Sequence, residues 1–73
     1  MTSVELIPGS AARFGNREYR ISSVRGRDVG IEVLHLGNRE DTAMIRRRVG
    51  QDTMPVKTLI KKTDDALRFL DGY

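Results

Sequence analysis

Three consecutive arginines, Arg46, Arg47 and Arg48, stand in the stretch "MIRRRVGQ". Guanidinium groups bind phosphates and carboxylates through paired N–H donors, so a run of them is a candidate anion grip. Its spacing works against the simplest version. Successive side chains lie about 100° apart on a helix, and they alternate between faces on a strand. No regular backbone aims three neighbours at one ligand, and on a strand only Arg46 and Arg48 act together. A phosphate-binding surface must therefore recruit other elements. The candidates are Arg25 and Arg27 in the turn "RGRD", and Lys57, Lys61 and Lys62 in "VKTLIKK". Arg47 is the diagnostic residue. On a strand it would lie among Ile45 and Val49, where an unpaired charge is costly; on a helix it would be free in water.

Catalytic chemistry finds little to work with. His35 is the only histidine and sits in the alternating run "EVLHLG", where a place on the sheet surface accounts for it. Nucleophilic catalysis needs a hydroxyl or thiol beside a base, and no such pairing is legible. With no cysteine, neither a disulfide nor a thiolate zinc site can form, and one histidine needs several acidic partners to hold a metal, none of which is arranged for it. Glu40/Asp41 and Asp64/Asp65 are paired carboxylates at expected helix starts, where acids favour the helix dipole. No glycine-rich phosphate loop of the Walker or dinucleotide type is present. These readings imply a non-enzymatic protein with no cofactor and no metal.

The charge distribution points to polyanionic partners. The net charge is +3, but residues 1–62 carry 12 basic and 7 acidic residues, 12 − 7 = +5, and the remainder carries −2. A basic body of this kind favours nucleic acid or an acidic protein surface. Single-strand binders stack bases on exposed aromatic rings. Only Phe14, Tyr19, Phe69 and Tyr73 are aromatic; Phe14 and Phe69 are expected in the core and Tyr19 on a strand. The partner expected is thus duplex nucleic acid held by its phosphates. The alternative is a small regulator or inhibitor, of phage or mobile-element type, that binds an acidic protein. "MTSVELIPGS" lacks the basic and apolar regions of a signal peptide, and no run approaches the roughly 20 apolar residues that span a bilayer. A cytoplasmic protein with no membrane partner is expected.

The elements that would position these residues follow from hydrophobic periodicity. At 73 residues the chain is a single small domain, 1–73. In "EYRISSV" Tyr19 and Ile21 alternate with Arg20 and Ser22; in "VGIEVL" Val29, Ile31 and Val33 alternate with Gly30 and Glu32. With "RGRD" between them, they predict a β-hairpin over residues 18–36. The alternation breaks at Val33 and Leu34, which implies a bulge or a strand covered on both faces. "VELI" could add a strand ended by "PGS". The two "GNRE" segments, residues 15–18 and 37–40, read as Gly-Asn turns rather than a repeat.

Val56, Leu59, Ile60, Thr63, Leu67 and Leu70 share one helical face, while Lys57, Lys61, Asp64 and Arg68 share the other, with Asp64 and Arg68 forming an i, i+4 pair. This predicts one helix over residues 54–71, capped by Thr53 and ended at Gly72; the competing reading is a strand at "VKTLI" followed by a short helix capped by Thr63, with Asp64 and Asp65 at its start. For residues 39–49 the start signal Asn38 with Asp41, and the stop at Gly50, favour a helix over a strand. The two helices together are similar to a helix-turn-helix motif, with 54–71 as the recognition helix and Arg46 where that motif usually has a small residue.

The fold expected is α+β, a small antiparallel sheet built on the hairpin and packed against a C-terminal amphipathic helix. The alternative is an SH3-like small β-barrel closed by that helix, which needs "TAMIRRRV" and "VKTLI" to be strands. Val29, Ile31 and Val33 on one face, with Leu34 and Leu36 toward the other, exceed what so short a chain is expected to cover, so a homodimer is predicted.

Overall fold

The computed structural model describes residues 2–71, with side chains through Arg68. Six strands and one helix follow in order: β1 (Ser3–Glu5), β2 (Ala11–Phe14), β3 (Arg17–Arg25), β4 (Asp28–His35), β5 (Asn38–Arg46), β6 (Thr53–Pro55) and α1 (Val56–Asp71). The architecture is α+β, as the hairpin and the amphipathic helix imply. Strands β2-β3-β4-β5 form one antiparallel meander, and β1 pairs antiparallel with β6 in a separate ribbon. The sheets do not close into a barrel.

Three two-residue turns build the meander, because Phe14 pairs with Arg17, Arg25 with Asp28, and His35 with Asn38. Two-residue hairpins need positive φ at a central position to match the twist of the strands. Gly15 and Gly26 supply it in the first two turns. The third is built by Leu36 (φ 52°) and Gly37 (φ 82°). Leucine in that region is strained by its Cβ, and its side chain is left 68% exposed.

The alternation read from the sequence sorts the sheet as expected. On the inner face Tyr19 pairs with Val33, Ile21 with Ile31, and Val24 with Val29. These rows continue into β5 through Ala43 opposite Ile31 and Ile45 opposite Val29. Leu59 of α1, together with Val4, Leu6 and Met54 of the ribbon, joins them in one buried cluster. Burying each such side chain contributes about 1.5–3 kcal/mol. Register shifts fall between Ile21 and Ser23 on β3 and between Val33 and Leu34 opposite β5. The second is the break in alternation seen in the sequence, and it leaves both Val33 and Leu34 buried. Gly30 lies beneath the first: a Cβ there would come within 2.7 Å of Ser23 Oγ and 2.9 Å of Ser22 Oγ.

In place of the helix expected over residues 39–49 stands the strand β5, which ends at Arg46, and the likeness to a helix-turn-helix falls with it. The reason is packing. β4 is buried on its inner face and needs a hydrogen-bonded neighbour on each side. "TAMIR" supplies one, with Ala43 and Ile45 inward and Thr42, Met44 and Arg46 outward. Asp41 caps no helix; its Oδ1 accepts from the Thr42 amide at 2.8 Å.

The last helix begins two residues later than predicted. Thr53 lies in β6 instead of capping it, and the Val56 amide donates to the Thr2 carbonyl at 3.1 Å. Leu59 and Thr63 are fully buried, and the Thr63 hydroxyl donates to the Leu59 carbonyl at 2.8 Å. Asp64 and Asp65 are therefore mid-helix residues, not capping acids. Leu70 and the stop at Gly72 lie outside the described side chains. One chain already buries Val29, Ile31, Val33 and Leu34, and of the residues on which a homodimer was expected it leaves Leu36 exposed.

Candidate nucleic-acid interface

The β3–β4 turn and the end of β5 lie side by side, because Arg25 pairs with Asp28 and Asp28 with Arg46. Arg27, Arg46, Arg47, Arg48 and Val49 line a shallow depression of about 300 Å³ here. With Arg25 at the base of the turn, this end of the sheet carries five arginines against Asp28, 5 − 1 = +4. The only ion pair among them is Arg46 Nε to Asp28 Oδ1, at 4.0 Å and well exposed. In water a contact of that length contributes little. Arg25, Arg27 and Arg48 have no acidic partner within 4.0 Å among the described residues.

Arg47 differs from its neighbours. β5 stops at Arg46, and the chain turns before Arg47 can enter the core. Its amide donates to the Arg27 carbonyl at 2.9 Å. Its side chain donates from Nε to the Gly26 carbonyl at 2.7 Å and from Nη1 to the Gln51 carbonyl at 2.6 Å. Arg47 is half-buried and works as a tie between the hairpin turn and the loop that leads to β6. An unpaired charge beside Ile45 is costly, and backbone carbonyls offset that cost here. Gln51 completes the loop: its Oε1 accepts from the Arg48 amide at 3.1 Å and its Nε2 donates to the Thr53 carbonyl at 2.9 Å.

The lysines belong to a different region. β3 runs from Arg17 to Arg25, roughly 26 Å at about 3.3 Å per residue, and Lys57 and Lys61 border a groove at the Arg17 end. Lys62 is exposed on α1 outside that groove. The seven cations expected to form one surface thus separate into Arg25, Arg27, Arg46 and Arg48 on one side and Lys57, Lys61 and Lys62 on the other.

At the Arg17 end the arginine charges are largely matched. Arg17 approaches Glu40 Oε2 at 3.6 Å and Asp64 Oδ1 at 3.9 Å. Tyr19, buried beneath the helix, donates its hydroxyl to Asp64 Oδ1 at 3.1 Å. Burial raises the Tyr19 hydroxyl above its usual value, and Arg17 pulls it the other way. Arg17 in turn is raised, chiefly by its hydrogen bond with Tyr19. Asp64 faces this network, so the predicted Asp64–Arg68 pair is replaced by Arg68 Nη1 to Asp65 Oδ1 at 4.0 Å.

The chain matches no family model, no curated protein and no solved structure. Function must therefore be argued from these side chains. Among the described residues no group of three or more His, Cys, Asp or Glu is placed to hold a metal ion, and no helix is long and apolar enough to cross a membrane. His35 is exposed at the end of β4, the surface position expected of it. The sequence misplaced Phe14. Instead of lying in the core it is 72% exposed at the end of β2, beside Lys57 and Lys61.

Proposed function

We propose that this chain is a non-enzymatic module that holds nucleic acid by its phosphates through Arg25, Arg27, Arg46 and Arg48. The observation that carries the reading is the gathering of these arginines, with Arg47, around a tight turn that holds a single acid. A two-residue hairpin tip is narrow, which suits it to a groove or backbone. Guanidinium groups not already engaged by carboxylates can exchange water for phosphate oxygens without breaking an internal pair. No donor pattern here is directed at base edges, so the contact reads charge and spacing rather than sequence.

Binding of that kind depends steeply on salt, because each neutralised phosphate releases counterions. A gel shift with a 20-base-pair duplex should show retardation at 50 mM salt that fades by 200 mM. Folded protein that leaves the duplex unretarded at 50 mM salt would sink the proposal.

A second reading has one observation in its favour. Val49 (69% exposed) lies in the arginine depression, and Met44 (58% exposed) stands on the same strand as Arg46. Apolar side chains among arginines also suit an acidic protein surface. Salt-resistant capture of an acidic partner that depends on Val49 and Met44, without retardation of the duplex, would favour this reading over the first.

A further inference from the structure

The groove between β2 and α1, of about 640 Å³, combines features that the arginine end lacks. Phe14 presents an exposed ring at its rim, on the same side of β2 as the buried Ala12. Ile60 adds apolar floor. Lys57, Lys61 and Arg68 fall at i, i+4 and i+11 along α1, so they make one straight row about 16 Å long. Of the groove's acids, Asp64 accepts from Tyr19 and lies 3.9 Å from Arg17, and Asp65 stands 4.0 Å from Arg68 at the exposed surface. Lys57 and Lys61 have no acidic partner among the described residues. Counting Arg17, Lys57, Lys61 and Arg68 against Asp64 and Asp65, the groove carries 4 − 2 = +2.

An aromatic face beside a row of cations is what a single nucleic-acid strand requires, a platform for a base and a track for its phosphates. The space suits one or two nucleotides, and a duplex cannot offer an unstacked base to Phe14. We infer that this groove is a second site, for single-stranded nucleic acid, in which a base stacks on Phe14 while the adjoining phosphates lie along Lys57 and Lys61. An acidic peptide with an aromatic anchor would meet the same cations. The unobstructed ring and the straight row favour the nucleic-acid strand, whose charges recur at regular intervals beside flat bases. The inference goes beyond the duplex reading and does not require the arginine end to bind.

The chain has no tryptophan, so Phe14→Trp creates a single reporter at an exposed strand position. Titration with the oligonucleotide (dT)8 should quench its fluorescence. Phe14→Ala should weaken (dT)8 binding on the order of 10-fold or more and leave duplex retardation unchanged, and Lys57→Glu with Lys61→Glu should weaken it further. Equal (dT)8 affinity in wild type and Phe14→Ala, or binding that leaves the tryptophan emission unmoved, overturns the inference. So does a Glu-rich peptide bearing one phenylalanine that binds more tightly than (dT)8. Duplex binding without (dT)8 binding overturns this site alone; Phe14-dependent (dT)8 binding without duplex binding supports it and removes the arginine reading. Binding of neither removes both.

Discussion

At the Arg17 end of β3 the guanidinium groups answer to carboxylates of the same chain: Arg17 to Glu40 and Asp64, Arg13 to Glu18, Arg39 to Glu32. At the Arg25 end, roughly 26 Å away along the strand, four of five arginines meet no acid among the described residues and the fifth meets one at 4.0 Å. Both ends are basic and both are exposed, so composition alone does not distinguish them. What differs is where the counter-charge sits. An end whose cations are paired internally contributes to holding sheet and helix together, and one whose cations are unpaired must find its anions elsewhere. Arg47 adds a third case, a cation held by backbone carbonyls and so committed to the fold while its charge stays uncancelled.

The largest effect that would sharpen this contrast comes from removing the unpaired charges together. Arg25, Arg27, Arg46 and Arg48 changed to alanine should flatten the log–log salt dependence of duplex binding by about 3.6, at roughly 0.9 per phosphate contact. Removal of Arg13, Arg20 and Arg39, which are internally paired, should leave that slope nearly unchanged. Equal losses from the two sets would erase the distinction between the ends.

Next in size is Arg47→Ala. Leaving the carbonyls of Gly26 and Gln51 without their donor should cost about 1–3 kcal/mol, read by urea unfolding. In a domain of this size each kcal/mol lowers Tm by roughly 4–8 °C. Arg47→Lys should recover only part, since one ammonium on a flexible stem does not reproduce the guanidinium fork. Wild-type stability in Arg47→Ala would mean that the tie carries no load.

Tyr19→Phe probes the paired end. Loss of the hydroxyl to Asp64 should destabilise by about 1.5–3 kcal/mol, as for hydrogen bonds to charged groups. The pH dependence carries a definite sign. Folding raises the hydroxyl above its ordinary value of 10.0, so the folded chain keeps a proton that the unfolded chain releases. This contribution is fully present below pH 10 and is lost as pH rises through the folded value. Thermal melts between pH 9 and 11 should show wild type losing part of its advantage over Tyr19→Phe, and a gap that widens with pH would contradict the assignment.

The smallest effect lies in the third hairpin turn. Leu36→Asn relieves a leucine held at positive φ, where asparagine is favoured, and should stabilise the chain by about 1 kcal/mol. If instead Leu36→Asn destabilises, the exposed leucine has a partner in the fold that its surface position conceals.

The hairpin and the helix were legible because their periodicities are long and their residues strong: Tyr19, Ile21, Val29, Ile31 and Val33 on one side, Leu59, Thr63 and Leu67 on the other. β5 was not, since its inward residues are only Ala43 and Ile45 and its neighbours include a plausible helix cap in Asn38 and Asp41. A short alternation with one small member loses to capping signals until the demand of β4 for a second neighbour is taken into account. The arginines of the turn were singled out by residue type, but which of them converge depended on β5 lying beside β4. Phe14 was misread for a related reason. A phenylalanine is usually interior, and only its place at the end of a four-residue edge strand leaves its ring uncovered.

Arg47 has one further consequence for any ligand of the arginine end. A mobile guanidinium must surrender rotational freedom when it is captured, and that entropy opposes association. Arg47 has surrendered it already during folding. Its field reaches the ligand from a fixed position, and the approaching anion meets one charge of the five that needs no rearrangement. The tie that closes the loop is also a permanent electrode set into the wall of the depression.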